Sequence, residues 1–157
     1  MFFKLLGCLM VLGGGIYMGI ASKKFEAKKM KQLDAFIALI VYIKGQIDCF
    51  SAPIDDILRR ADPALLMDCG CTGSPKGFSG LLENCEMLQS SEVRVLLEGF
   101  CDELGGSFRE QQIVRCDYYL ERLDAERNRQ MPESKKKTKL QLVLWTCAAA
   151  GIITLLW

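Results

Sequence analysis

The sequence contains no histidine among its 157 residues. Histidine is the commonest general base near neutral pH and the commonest metal-ligating side chain. This chain can therefore use histidine neither for catalysis nor for metal binding. A phosphate-binding or dinucleotide-binding glycine motif is also missing, and the glycines at residues 70–73 indicate a flexible loop. We therefore expect a protein that is not an enzyme, that binds no cofactor or metal ion, and that depends on a partner for any ATP-driven step.

A strong excess of charge of either sign is missing as well. The chain has 20 Lys and Arg against 19 Asp and Glu, which gives a formal net charge of +1. Its lysines cluster beside apolar runs, where basic residues hold a membrane segment in place and contact anionic lipid. This distribution favours membrane lipid as a binding partner and argues against binding to nucleic acid.

Cysteine is plentiful, but its arrangement does not predict a metal or redox centre. Cys69 and Cys71 lie in a predicted loop, and no second pair stands at the spacing of a zinc site. A redox pair would favour the thioredoxin-like spacing with two intervening residues. A membrane-tethered thiol or redox protein using Cys69 and Cys71 remains the alternative function. Four further cysteines fall on predicted apolar helix faces, as small buried hydrophobes: Cys49, Cys85, Cys101 and Cys116.

Two long apolar runs, Leu5–Ala21 and Leu140–Trp157, contain no charged residue. Each has about the 17–25 residues that a helix needs to cross the hydrocarbon core of a bilayer. We therefore predict transmembrane helices at residues 1–22 and 140–157.

The basic residues around these runs predict the topology. Lysines and arginines follow the first run and precede the second, and such residues stay on the cytoplasmic side of a membrane. The middle of the chain is then cytoplasmic, and both termini lie across the membrane. The rival interpretation is a cleaved signal peptide ending near Gly19-Ile20-Ala21, but its apolar stretch is longer than the ~7–15 residues of a signal core.

Glycines in the first run include Gly15 and Gly19, one helical turn apart. Small residues at this spacing let two helix backbones approach closely in lipid. Glycine is also common in membrane spans for other reasons. Helix packing through Gly15 and Gly19 is therefore a hypothesis with an ordinary alternative.

The middle segment, residues 23–131, has helical periodicity throughout and no strand alternation. Pro53 and Asp62-Pro63 bound a short helix, and Pro132 with Ser134 is predicted to break the last one. Residues 132–139 then form a basic juxtamembrane linker. The fold class predicted is all-α, a small cytoplasmic helical bundle flanked by two transmembrane helices. The clearest apolar stripes are Leu33, Phe36, Ile37, Ile40, Ile43 and Ile47, and Val93, Leu96, Leu97, Phe100, Cys101 and Leu104.

A helix stop and a helix start stand next to each other near residue 105. Leu104 is followed by Gly105, which favours the end of a helix. Ser107 and Glu110 then form a capping box, in which each side chain accepts a hydrogen bond from the other residue's exposed amide. The sequence predicts a short turn between two helices here.

This stretch, FCDELGGSFREQQ at residues 100–112, resembles the signature of the stage III sporulation protein AB family. That family has the pattern F-x-x-x-L-G-x-S-D-x-E-x-Q at the start of its last cytoplasmic helix. The likeness extends to the hydrophobic N-terminal run, the helix leading into Pro53-Ile54-x-Asp56-x-Leu58, and the apolar C-terminal run. It therefore covers nearly the whole chain.

The resemblance implies a function as well as a fold. The family's soluble domain is similar to the platform protein of type II secretion and type IV pilus machines. It belongs to the mother-cell side of the channel complex that links mother cell and forespore. The implied partners are a secretion-type ATPase, stage III sporulation protein AA, and other membrane components of the complex. The implied location is the mother-cell membrane around the forespore.

Within this hypothesis we predict partner contacts around Arg109, Glu110 and Gln112, which lie outside the apolar stripe. For Ser107 and Glu110 the capping role alone, worth about 0.5–2 kcal/mol, is the favoured alternative. A sensor or scaffold of unrelated signalling that shares the two-span layout is a further alternative function.

Overall fold

The computed structural model describes residues 2–50, 53–71, 77–105 and 108–156. Within the first and last helices it describes the backbone alone at residues 2–12, 15–16, 50, 133–139, 141–142 and 145–156. The predicted capping residue Ser107 lies outside the described residues. At Gly15 the structure describes the backbone but not the atoms around it.

Six helices make up the described chain, which confirms the all-α prediction. In these residues the one β-type pairing is an isolated antiparallel bridge between Cys71 and Cys85. The helices are α1 (Phe2–Phe50), α2 (Ile54–Arg60), α3 (Pro63–Asp68), α4 (Gly77–Glu83), α5 (Ser91–Glu103) and α6 (Arg109–Leu156).

The chain divides into two compact units, of which one is Lys29–Asn128. This unit holds the hydrophobic core, and both predicted apolar stripes contribute to it. Leu33, Phe36 and Ile40 of α1 are fully buried, as is Leu97 of α5. Burial of such side chains contributes about 1.5–3 kcal/mol each. The last helix adds Cys116, Tyr119 and Leu123 to the same core.

Three ion pairs define how α1 and α6 run inside this unit. Asp34 binds Arg127, Lys44 binds Asp117 and Asp48 binds Arg109. Residue numbers rise along α1 while those of the partners fall along α6, so the two segments are antiparallel.

The connection after α1 contains two short helices rather than the single one that was predicted. Asp55 and Asp56 occupy the first turn of α2, where negative charge stabilises the helix end. Ala61 is extended, and Asp62 then caps α3 by accepting a hydrogen bond from the Ala64 amide at 2.9 Å. Pro63 stands at the first turn of α3, where its missing amide costs nothing.

Helix α4 packs against both α2 and α5. Its buried residues are Phe78 and Leu81. The Phe78 ring packs edge-on against the Phe100 ring of α5, with 5.1 Å between the ring centroids. Gly105 has φ +95°, a left-handed conformation that glycine adopts without steric cost. The predicted helix stop at Leu104-Gly105 is therefore confirmed.

The predicted helix break at Pro132 is wrong, because α6 continues through it to Leu156. A proline inside a helix removes one hydrogen bond, here to the carbonyl of Asn128. Pro132 and Asn128 are both exposed, so water can satisfy that carbonyl. Residues 132–139 accordingly continue the helix.

The other unit consists of Met1–Lys28 and Arg129–Trp157. Among the residues that the structure describes, none of the helices has a stretch both long and apolar enough to traverse a bilayer. Most side chains of the two predicted spans lie outside the described residues, so the spans stay predictions. At Gly19, an added Cβ would meet no atom within 4 Å.

Candidate docking surface

Along residues 100–112, the apolar side chains change from buried to exposed at the turn between α5 and α6. Phe100 is buried and contacts the Tyr119 ring edge-on at 5.5 Å, and Leu104 is half-buried against the core. After the turn at Gly105, Phe108 is 82% exposed. The apolar residues of the motif thus belong to the core up to Leu104, and the surface begins beyond it.

Arg109 is held by a residue of the same chain. Its Nη2 atom donates to Asp48 Oδ1 at 2.6 Å, and both side chains are about half-exposed. The pair joins the first turn of α6 to the last turn of α1. The sequence favours Arg109 as a partner contact, whereas the structure pairs it with a carboxylate of its own chain.

Next to this ion pair lies an open groove of about 430 Å³. The described residues that line it are Glu110, Gln111, Val114 and Arg115. Glu110 was predicted, whereas the other three were not. The sequence did hint at an exposed apolar residue here, because Val114 lies outside the apolar stripe of this helix. That stripe consists of Ile113, Cys116, Leu120 and Leu123.

This groove is shallow, and it contains one anchored side chain and one exposed apolar side chain. Arg115 Nη1 donates to the Glu103 carbonyl at 2.8 Å, which anchors its guanidinium to the end of α5. Val114 is 68% exposed in the groove. Gln112, predicted beside Glu110, is half-buried and does not line the groove. The structure therefore groups Glu110 with Gln111 and Val114 rather than with Gln112.

A second, smaller groove of about 220 Å³ lies where α4 meets α5. Arg94 pairs with Glu98 across one turn of α5, at 2.8 Å. The groove is lined by Ser79, Leu82, Glu83, Met87, Arg94, Glu98, Cys101 and Asp102.

Cys69 and Cys71 are buried rather than presented on a loop surface. Burial raises the pKa of the Cys69 thiol to about 12, and burial also raises the pKa of Cys71. Because the thiolate is the reactive form, a raised pKa makes a thiol a poor nucleophile at neutral pH. Neither thiol is therefore suited to act as a catalytic nucleophile at neutral pH.

Next to Cys69 lies the buried polar side chain of Gln32, which the sequence did not single out. Gln32 Nε2 donates to the carbonyls of Cys69 and Glu86, each at 2.8 Å. Its Oε1 accepts from the Leu88 amide at 2.9 Å. One glutamine of α1 thereby satisfies the backbone of two segments distant in sequence. The only hint in the sequence was a glutamine beside the apolar stripe.

Two of the predicted buried cysteine positions need correction. Cys49 is exposed, because it lies about 200° around the helix from Ile47 of the buried stripe. Cys85 is half-buried but follows the end of α4 instead of lying on a helix. The prediction is confirmed for Cys116, which is buried on α6, and in part for Cys101, which lies on α5 and is half-buried.

Comparison with family models, with curated proteins and with solved structures gives no match to this chain.

Proposed function

We propose that this chain is a non-enzymatic platform or adaptor of the sporulation channel complex, docking a secretion-type ATPase. The basis is the resemblance of residues 100–112 to the stage III sporulation protein AB family. One structural observation supports docking: an open groove lined by Glu110 and Gln111 of that segment also contains the exposed Val114. A groove that combines an exposed apolar residue with Glu110 and Gln111 suits a protein partner better than a small substrate.

The proposed location is the mother-cell membrane, with helices at residues 1–22 and 140–157 crossing it. Exposed apolar side chains in these segments support this part of the proposal, because such side chains ordinarily need lipid or protein cover. Those that are at least half-exposed are Tyr17, Met18, Ile20, Leu140, Val143 and Leu144.

The alternative of a catalytic thiol protein has less support. It needs Cys69 or Cys71 as a thiolate near neutral pH, and burial raises the pKa of both thiols. The docking proposal needs no reactive group.

The proposal is tested by placing a photo-crosslinking amino acid at Val114 of the full-length protein in sporulating cells. Val95 of α5 is the matched control, since it is a valine of similar exposure, 65% against 68%, outside the groove. We expect ultraviolet-dependent adducts with the secretion-type ATPase from position 114 and not from position 95. Equal adducts from both positions, or none with any component of the channel complex, would overturn it.

A further inference from the structure

Cys71 and Cys85 face each other across the isolated antiparallel bridge. Cys71 comes shortly after α3, and Cys85 comes shortly after α4. The backbone hydrogen bond at this bridge runs between the neighbouring residues, from the Glu86 amide to the Gly70 carbonyl at 3.3 Å. The two cysteines are therefore a non-hydrogen-bonded pair.

This type of pair has the dimensions of a disulfide. Residues opposite each other at a non-hydrogen-bonded position have Cα atoms about 4.5 Å apart. A disulfide spans Cα separations of about 4.4–6.8 Å. Bridging the two sulphurs therefore needs side-chain rotation and little backbone movement.

The Cys85 sulphur at present lies against the backbone of Cys69 and Gly70, next to Cys71 in the chain. A Cβ atom added to Gly70 would lie 3.2 Å from Cys85 Sγ, so the sulphur rests over the backbone beside Cys71. Cys85 Sγ donates to the Cys69 carbonyl at 2.6 Å and accepts weakly from Gln32 Nε2 at 3.5 Å. Rotation of the Cys85 side chain about χ1 would break both of these hydrogen bonds.

We propose that Cys71 and Cys85 form an oxidative modification site, which closes to an intramolecular disulfide when the protein meets a hydroperoxide. The inference is independent of the docking function. It also differs from the redox alternative above, which relies on Cys69 and Cys71.

The chemistry balances with hydrogen peroxide as the oxidant. The Cys85 thiolate, on the more accessible of the two side chains, attacks one peroxide oxygen and becomes a sulfenic acid, releasing hydroxide. The Cys71 thiolate then attacks the sulfenic sulphur, and the S–S bond forms as the S–O bond breaks. Two thiols and one peroxide thus give one disulfide and two waters.

The surroundings of Cys71 and Cys85 set the rate at which the disulfide forms. Burial raises the pKa of Cys85 to about 11, and burial raises that of Cys71 as well. The thiolate fraction is therefore small at neutral pH, and closure accelerates as the pH rises. Such a pair responds to sustained oxidation rather than turning over.

The test uses the full-length protein in detergent micelles, treated with hydrogen peroxide, alkylated, digested and analysed by mass spectrometry. We expect one dominant cross-linked peptide pair that joins Cys71 to Cys85 and lacks two hydrogen atoms relative to the reduced peptides. We also expect a higher Tm for the oxidised protein, because the bridge restricts the unfolded chain.

Three variants sharpen the result. Cys71→Ser and Cys85→Ser should each abolish the cross-link, whereas the matched control Cys69→Ser should keep it. A dominant link between Cys69 and Cys85, or alkylation of Cys71 and Cys85 undiminished by peroxide, would overturn the proposal. Circular dichroism checks that each variant is folded, and the mapping of the unmodified sequence does not depend on any variant.

Discussion

Arg109 donates to Asp48 at 2.6 Å, joining the first turn of α6 to the last turn of α1. Because both side chains are about half-exposed, the pair contributes about 0.2–1 kcal/mol at most. We expect Arg109→Ala to lower the free energy of unfolding by no more than this amount, measured by urea unfolding. Reversing the pair, with Asp48→Arg and Arg109→Asp together, should recover part of the loss. A cost of several kcal/mol would mean that Arg109 makes further internal contacts.

Among the glycines whose surroundings the structure describes, Gly70 leaves the least room for a methyl group. Its φ is +90°, and an added Cβ would lie 2.8 Å from Gln32 Nε2. Backbone strain of this kind costs about 1–3 kcal/mol, so Gly70→Ala should lower the unfolding free energy by at least that amount. The matched control is Gly45→Ala in α1, where an added Cβ meets nothing within 4 Å. That change should stabilise the helix by roughly 0.5–1 kcal/mol. Equal effects at the two positions would contradict the close approach at Gly70.

Gln32 is 3% exposed and bonds through both ends of its amide. Replacement by leucine keeps the bulk but leaves the Leu88 amide and the Glu86 carbonyl without this partner. These two groups are only partly buried, so losing the hydrogen bonds costs about 1–3 kcal/mol in total, and we expect Gln32→Leu to destabilise the domain by about that amount. Gln111→Leu, at an exposed position, should change stability by less than about 0.5 kcal/mol. An unchanged stability in Gln32→Leu would show that other groups or water replace the hydrogen bonds of Gln32.

Buried thiols predict a loss of stability at alkaline pH. Burial raises the pKa of Cys69 to about 12 and that of Cys116 to about 11, against an ordinary value of 9.0. Above pH 9 the unfolded chain loses these protons while the folded protein keeps them. The stabilisation is therefore complete below pH 9 and is lost as the pH rises through the folded values. We expect the Tm of the reduced protein to fall between pH 8 and about pH 10.

Cys69→Ser should flatten this dependence, since serine does not ionise in that range. Exposed Cys49→Ser is the matched control and should leave the slope unchanged. A Tm that stays level to pH 10 in the reduced protein would contradict the assignment.

The main helices could be predicted because their signals are local and periodic. Ile43 and Leu97 lie on stripes that repeat every three or four residues, and both are buried. Gly105 marks a helix stop through its own conformational freedom. Helix α3 was missed because Pro63–Asp68 spans less than two turns, too short for a periodic pattern.

The remaining features depend on pairs that are distant in sequence. The bonds of Gln32 to the segment around Glu86 require the fold to be known, as does the pairing of Asp48 with Arg109. Tyr119 shows the same limit: it is 6% exposed and its ring packs edge-on against Phe100, a residue distant in sequence. The groove at Val114 includes Arg115, whose bond to the Glu103 carbonyl of α5 is likewise a contact that composition does not reveal.

The three ion pairs between α1 and α6 alternate in sign along each helix. The order is acidic, basic, acidic at residues 34, 44 and 48 of α1, facing basic, acidic, basic on α6. A slip of ten residues, about 15 Å along the axis, would place Asp34 opposite Asp117 and set like charges against each other. The surface charges therefore favour the observed register of α1 and α6 over that misalignment, in addition to the packing of the core.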